Sequence, residues 1–293
     1  MKPVMITTHF DTESKYDQLW RERENKAIVD AGFELVTVGS TVFGLKDVEF
    51  DYLQNRDVAF RCYANQEHMI DEMLRHVGIK RIVPNVHTAN DWYKSLDHDI
   101  EFFGRKIGHL DLKRFGYIEE IAQMKSLETS LRGMFDEFER GGEVFVKSTT
   151  KSSFIARLRN YPDLLEEITY ALGISCHNMP SELIFSNPKH INHIDNLEYD
   201  REEYRVFIID AHPVTTSIFT DTKSDRGYTT IDRFARKFAK RYESKLPRAY
   251  CLDIARDVYD GLFVVELNGF AASGFFADHD IDKLFTTLKR VNV

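Results

Sequence analysis

The chain has 293 residues, 43% of them hydrophobic and 13% aromatic, enough for a core that buries roughly three quarters of the extended-chain surface. Its formal net charge of −8 argues against a nucleic-acid coat, and no apolar run reaches the ~18 residues of a membrane span. Cys62, Cys176 and Cys251 form neither a CxxC pair nor a zinc spacing, so they read as reduced thiols of a soluble cytoplasmic protein.

The opening residues, "MKPVMITTHFDTESKYDQ", meet acidic and polar side chains too early for a signal peptide. "PVMITTHF" is a short apolar strand. Residues 14–31 form a helical stretch with Tyr16, Leu19, Trp20, Ala27, Ile28 and Ala31 near one face, and Gly32 suits its C-terminal stop. "FELVTVG" and "VAFRCYA" read as strands, "NQEHMIDEMLRHVG" as a helix and "IKRIVPN" as a strand. This alternation predicts a small parallel α/β domain over residues 1–88.

The remainder, 89–293, forms a second domain. Residues 89–140 are polar and mostly helical, the start of a linker and lid that extends to about residue 180. "EVFVK" is a strand after the Gly141-Gly142 break, "STTKSS" a polar loop, and "NYPDLLEEITYALG" a helix with Pro162 in its first turn. From 181 onward strands return. "SELIF" is one; "EYRVFIID" and "PVTTSIFT" form a hairpin about residues 210–213; "AYCLDIA" and "GLFVVELN" form a second pair. A helix over 231–242 lies between the pairs, its cations on the solvated face.

Four stretches carry chemistry. In "VVELN", alternation along the strand puts Glu266 and Asn268 on one face. Their carboxylate and amide oxygens suit Mg²⁺; the rival reading is a hairpin with an Asn-Gly turn. In "YCLDIA", Asp253 interrupts an apolar segment. It is either a hydrogen-bonded core aspartate or, on an antiparallel neighbour, a partner of Glu266 across a cation. In "VFVKSTTKSSF", Lys147 ends a strand and Lys151 follows among small hydroxyl residues, a setting for phosphate oxygens or simply a solvated turn. In "REEYRVFII", Arg205 either grips an anion in bidentate fashion or pairs with a neighbouring glutamate. "KHINHID" reads as a solvent loop rather than a metal site.

In this order and spacing, "VFVKSTTKSSF", "SELIF", "EYRVFII" and the pair "YCLDIA"/"VVELNGFAASG" resemble the ATP-grasp superfamily over residues 143–276. The resemblance implies mixed α/β and α+β architecture, with an ATP-grasp core behind a small pre-ATP-grasp domain. It implies ATP with one or two Mg²⁺ ions as cofactors. Lys147 and Lys151 would meet the phosphates, Glu182 with its neighbours Leu183 and Ile184 the adenine, and Arg205 the phosphates or an acyl phosphate. Asp253, Glu266 and Asn268 would hold the metal, and Ser273 and Gly274 would border the acceptor. Lys106, Lys113 and Lys125 compete for the earlier lysine that many members carry. The activity implied is ATP-dependent activation of a carboxylate, followed by attack of an amine, with an amino acid or peptide as a plausible substrate. The alternatives are a small-molecule kinase acting on a hydroxyl and a non-catalytic nucleotide-binding module.

Overall fold

The computed structural model describes residues 2–10, 14–41, 44–45, 49–62, 70, 74–79, 96, 100–112, 121–148, 155–174, 182–191, 201–220, 227–259 and 261–291. Most of the expected helix at 65–78 and all but the first residue of the strand expected from residue 79 lie outside them, as do Lys113, Lys151 and Cys176. The chain divides into two compact units. The first comprises residues 1–92, 191–256 and 262–293; the second comprises residues 93–190 and 257–261.

The first unit holds two sheets. In one, β1 (Val4–Phe10) lies between β2 (Glu34–Thr41) and β4 (Val58–Arg61), parallel to both, and the short β3 (Gly44–Leu45) pairs antiparallel with β2. Both faces of this sheet are covered, which is why "VMI" and "VAF" are continuous apolar runs rather than alternating ones. Met5 and Ala59 point to one side, while Val4, Ile6, Val58 and Phe60 point to the other.

The helix Lys15–Asp30 follows β1. The Ser14 hydroxyl accepts the Asp17 N–H at 3.1 Å, which caps its first turn. Gly32, at φ +90°, ends it in a conformation that side chains with a Cβ resist. Ala27 and Ile28 are buried as expected, but Leu19 is 66% exposed. Leu19 sits on the flank of the stripe that Trp20, Ala27, Ile28 and Ala31 define, so its apolar character does not report burial.

The second sheet has the order β10 (His212–Ile218), β9 (Glu203–Ile209), β11 (Ala249–Asp257), β12 (Gly261–Gly269). The β9–β10 hairpin turns at Asp210 and Ala211, both at positive φ, and Arg248 grips the Asp210 carboxylate at 2.6 and 2.7 Å. Helices Thr229–Arg241 and Ile281–Val291 complete the unit. One core joins Ala27 and Ile28 of the first helix to Phe207 and Ile209 of β9, Cys251 of β11 and Leu284 and Phe285 of the last helix.

The second unit is an antiparallel sheet, β5 (Ile107–Asp111), β8 (Glu182–Ser186), β6 (Val144–Ser148), β7 (Ile155–Leu158), with helices Ile121–Phe138 and Tyr161–Ile174. β5 falls within the stretch expected to be mostly helical. Its Gly108 explains the difference: a Cβ there would come within 2.3 Å of the Phe138 ring, so the strand lies tight under the helix. β7 was likewise not anticipated as a strand. Among the described residues, no helix is long and apolar enough to cross a membrane.

Candidate functional site

The candidate residues fall into two groups, one in each unit. In the first unit, β9 and β11 run antiparallel with Arg205 directly opposite Asp253. The sheet face that carries Phe207, Ile209, Ala249 and Cys251 into the core therefore ends in a charged pair. Arg205 donates from Nε to Asp253 Oδ1 at 2.8 Å and from Nη2 to Oδ2 at 2.7 Å. Asp253 is 1% exposed and Arg205 8%. Burial opposes the guanidinium's charge, but the Asp253 carboxylate outweighs it and raises the Arg205 pKa.

β12 adds the rest. Asn268 donates through Nδ2 to Asp253 Oδ2 at 2.7 Å and to Glu266 Oε1 at 2.9 Å. One amide thus draws two carboxylates together, which alternation along "VVELN" makes possible. The third donor of Arg205, Nη1, reaches the carbonyl of Gly274 at 3.3 Å. Ser273 is buried, its hydroxyl turned to the Gly269 carbonyl at 2.6 Å. Arg205, Asp253, Glu266, Asn268 and Gly274 form one hydrogen-bonded network, and Ser273 lies on its closing loop.

The network has neighbours that were not anticipated. Burial, together with the charges of Asp253 and Glu266, pushes the Glu203 carboxyl up to about 8. It is therefore mainly protonated at neutral pH. His279 is 1% exposed and accepts the Phe276 N–H at Nδ1, 2.8 Å away. Its proton must then reside on Nε2, which donates to the Arg205 carbonyl at 3.2 Å. Burial drives its pKa down to about 3, so the ring is neutral. Burial also lifts the Cys251 thiol to about 12, which makes it inert as a nucleophile.

Asp253 and Glu266 offer carboxylate oxygens, the hard donor type magnesium takes; Asn268 turns its Nδ2 to both of them, so its amide oxygen would join the set only with the amide turned over. Burial is the main cause of the raised Glu203 pKa; the charges of Asp253 and Glu266 add to it, and that smaller part is what a divalent cation there would offset. Among the described residues, no three His, Cys, Asp or Glu side chains are grouped to hold a metal, so the set depends on the asparagine amide.

In the second unit, Lys147 of β6 is in register with Ile184 of β8, and Ile184 with His109 of β5. These three share one sheet face, together with Glu182 two residues before Ile184. Leu183 and Phe185 occupy the other face, in the core with Val144 and Val146. The Leu183 side chain is thus committed to packing, and only its backbone is available to a ligand. Glu182 is buried, its Oε1 3.6 Å from His109 Nδ1. His109 escaped the sequence reading because β5 did. Of the linker lysines, Lys106 donates to Glu137 at 2.5 Å and lies over the Phe138 ring, and Lys125 is exposed on the Ile121–Phe138 helix. Lys151 and Lys113 are outside the described residues.

Residues 83–288 match the family model of the ATP-grasp domain, R2K clade family 3. The chain belongs to the ATP-grasp family. No curated protein sequence matches it. Solved structures similar to this ATP-grasp chain include the D-alanine-D-alanine ligase of Coxiella burnetii, with a TM-score of 0.64 at 10% identity, covering 99% of this chain and 95% of that one. D-cycloserine synthetase DcsG gives 0.63 at 13% identity, over 99% and 100% of the two chains. ATP-grasp ligase PsnB, complexed with minimal precursor, Mg and ADP, gives 0.53 at 12% identity, over 100% and 99%. At these identities the likeness establishes the ATP-grasp fold.

Proposed function

We propose that the chain is an ATP-dependent ligase that activates a carboxylate as an acyl phosphate and joins it to an amine, releasing ADP and phosphate. The observation that carries this reading is the convergence of Asp253, Glu266 and Asn268 beside Arg205 in a chain with the ATP-grasp fold. A non-catalytic relative has no need to keep two carboxylates close together inside a buried network.

Residues 1–88 form the pre-ATP-grasp domain and 89–293 the ATP-grasp domain. Lys147 and Lys151 contact the phosphates, and Glu182, with the backbone at Leu183 and Ile184, meets the adenine. Asp253, Glu266 and Asn268 hold one or two Mg²⁺ ions, and PsnB, solved with Mg and ADP, supports that cofactor choice. Magnesium, when bound, offsets the charge on the transferring phosphoryl group. Arg205 fixes the Asp253 carboxylate and, through Nη1, the loop at Gly274. A carboxylate oxygen of the substrate takes the γ-phosphoryl group, and ADP leaves. The amine nitrogen then attacks the acyl carbon, the C–O bond to phosphate breaks, and phosphate leaves carrying the proton that the nitrogen gives up. Positioning and charge neutralisation supply the rate, so no side-chain nucleophile is needed. Cys251 is a buried thiol outside any disulfide, which supports a cytoplasmic setting.

The test is ADP release from Mg·ATP with amino acids and peptides as acceptors, run with and without hydroxylamine. Hydroxamate formation is the expected result. A stable phosphorylated product that hydroxylamine leaves intact, with no hydroxamate, overturns the ligase reading.

A further inference from the structure

The helix Thr229–Arg241 packs against β9 and β10 and has two opposite faces. Ile231, Ala235, Phe238 and Ala239 are at most 3% exposed and belong to the core. Arg233, Arg236, Lys237, Lys240 and Arg241 are all exposed. The last four stand three, four, seven and eight residues from Arg233, so the five form one stripe on the outer face. At 1.5 Å per residue the stripe is about 12 Å long.

Three features set this stripe apart from an ordinary solvated face. No acid occurs between Asp232 and Glu243, and Asp232 is drawn to the sheet side, where the Thr216 hydroxyl donates to its Oδ1 at 2.5 Å. Arg233–Lys237, Arg236–Lys240 and Lys237–Arg241 are therefore like-charge pairs four residues apart, a spacing at which like charges weaken a helix. The helix dipole favours Lys240 and Arg241 in the last turn, but it does nothing for Arg233 and Arg236. Lastly, residues 229–248 hold seven Lys or Arg and two acids in a chain of net charge −8, so the remainder is more acidic still. The stripe is a confined positive field on a molecule that otherwise repels anions.

We infer that this face docks an acidic polypeptide segment of about two helical turns, whose carboxylates meet Arg233, Arg236 and Lys240. Charge complementarity calls for an anionic partner, and the dimensions decide which kind. A membrane surface would take the apolar side of an amphipathic helix, and that side is shut in the core. A nucleic-acid strand runs on past 12 Å in both directions, and the acidic remainder of the chain opposes it there. A short acidic segment ends where the stripe ends, and the forked guanidinium groups match carboxylates in bidentate fashion. The inference does not depend on the ligase reading.

Fluorescence anisotropy of a labelled polyglutamate of about ten residues, titrated with the full-length protein at about 50 mM salt, tests the surface. The wild type binds with Kd tighter than about 100 μM. The triple variant Arg233→Gln/Arg236→Gln/Lys240→Gln keeps good helix formers at exposed positions and weakens binding about tenfold or more. The triple variant Lys15→Gln/Lys26→Gln/Arg290→Gln removes the same charge at exposed positions on other helices and weakens binding by no more than about threefold. No binding by the wild type at that limit, equal binding by the wild type and the first variant, or equal losses in the two variants overturns the proposal. Tighter binding of an oligonucleotide of about ten nucleotides, or of vesicles containing phosphatidylserine, than of polyglutamate overturns the choice of partner.

Discussion

Arg205 and Asp253 face each other across the β9–β11 pair and share two hydrogen bonds, of 2.8 and 2.7 Å, while both are more than nine-tenths buried. Removing one partner of such a pair strands a buried charge, which costs about 3–5 kcal/mol; replacing both with apolar residues costs far less. Asp253→Ala and Arg205→Met are each expected to lose about 3 kcal/mol or more in urea unfolding. The double variant Arg205→Met/Asp253→Leu is expected to be more stable than either single variant. Losses that add in the double variant would show that the pair is not coupled.

Glu266 is less buried than Asp253, and its carboxylate accepts from Asn268 Nδ2 at 2.9 Å. Glu266→Gln keeps the shape and an acceptor oxygen but removes the charge. Turnover of Mg·ATP is expected to fall by about a hundredfold or more, as the loss of about 3 kcal/mol of charge stabilisation implies. The melting temperature is expected to move by no more than about 2–4 °C. Equal turnover in mutant and wild type removes Glu266 from the metal set.

How far the sequence foretold this network depends on distance along the chain. Glu266 and Asn268 are two residues apart, so strand alternation alone put them on one face. The β9–β10 hairpin announced itself through its turn. Arg205 and Asp253 are separated by 48 positions. Each reading of Arg205 was local, a ligand grip or a pairing with an adjacent glutamate, because register between distant strands is set by core packing around Phe207 and Cys251. β5 was lost for a different reason. Five residues with a glycine in second place carry no period, and Gly108 is there to admit the Phe138 ring. His109 was lost with it. Arg61 was legible in principle: it is a charge inside the apolar run "VAFRCYA", the same signal that singled out Asp253.

His279 ties protonation to stability. Its pKa is pushed down to about 3, mainly by burial, from an ordinary value of 6.5. The folded state therefore resists a proton that the unfolded chain accepts. Its contribution is fully present above pH 6.5 and is lost as pH falls from 6.5 toward 3. The slope is at most about 1.4 kcal/mol per pH unit, the value for one proton. Urea midpoints of wild type and His279→Asn are expected to differ in slope over this window, with the variant flatter. An NMR titration checks the cause directly. The ring signals of the folded protein stay those of neutral imidazole down to about pH 4.5; a transition near 6.5 would remove the argument.

Arg61 is the clamp on the loop behind the network. It is buried at the end of β4, donates from Nε to Glu24 at 2.7 Å, from Nη1 to the Phe270 carbonyl and from Nη2 to the Ser273 carbonyl at 2.6 Å. The adjacent Cys62 N–H donates to the Ala271 carbonyl at 2.9 Å, so the end of β4 holds three successive parts of the loop. The guanidinium also lies 4.6 Å from the Phe275 ring centre. Arg61→Met keeps the length and the apolar contact but strands the Phe270 and Ser273 carbonyls and the Glu24 carboxylate. A stability loss of about 2–4 kcal/mol is expected. A positioning role makes a narrower demand than stability. With the loop loosened at Ser273, the KM for the acceptor is expected to rise about tenfold while the KM for ATP stays within about twofold. Arg61→Lys, with one donor group in place of the fork, is expected to fall between. If both KM values rise together, or neither changes while stability drops, Arg61 is a structural residue and does not set the loop for the acceptor.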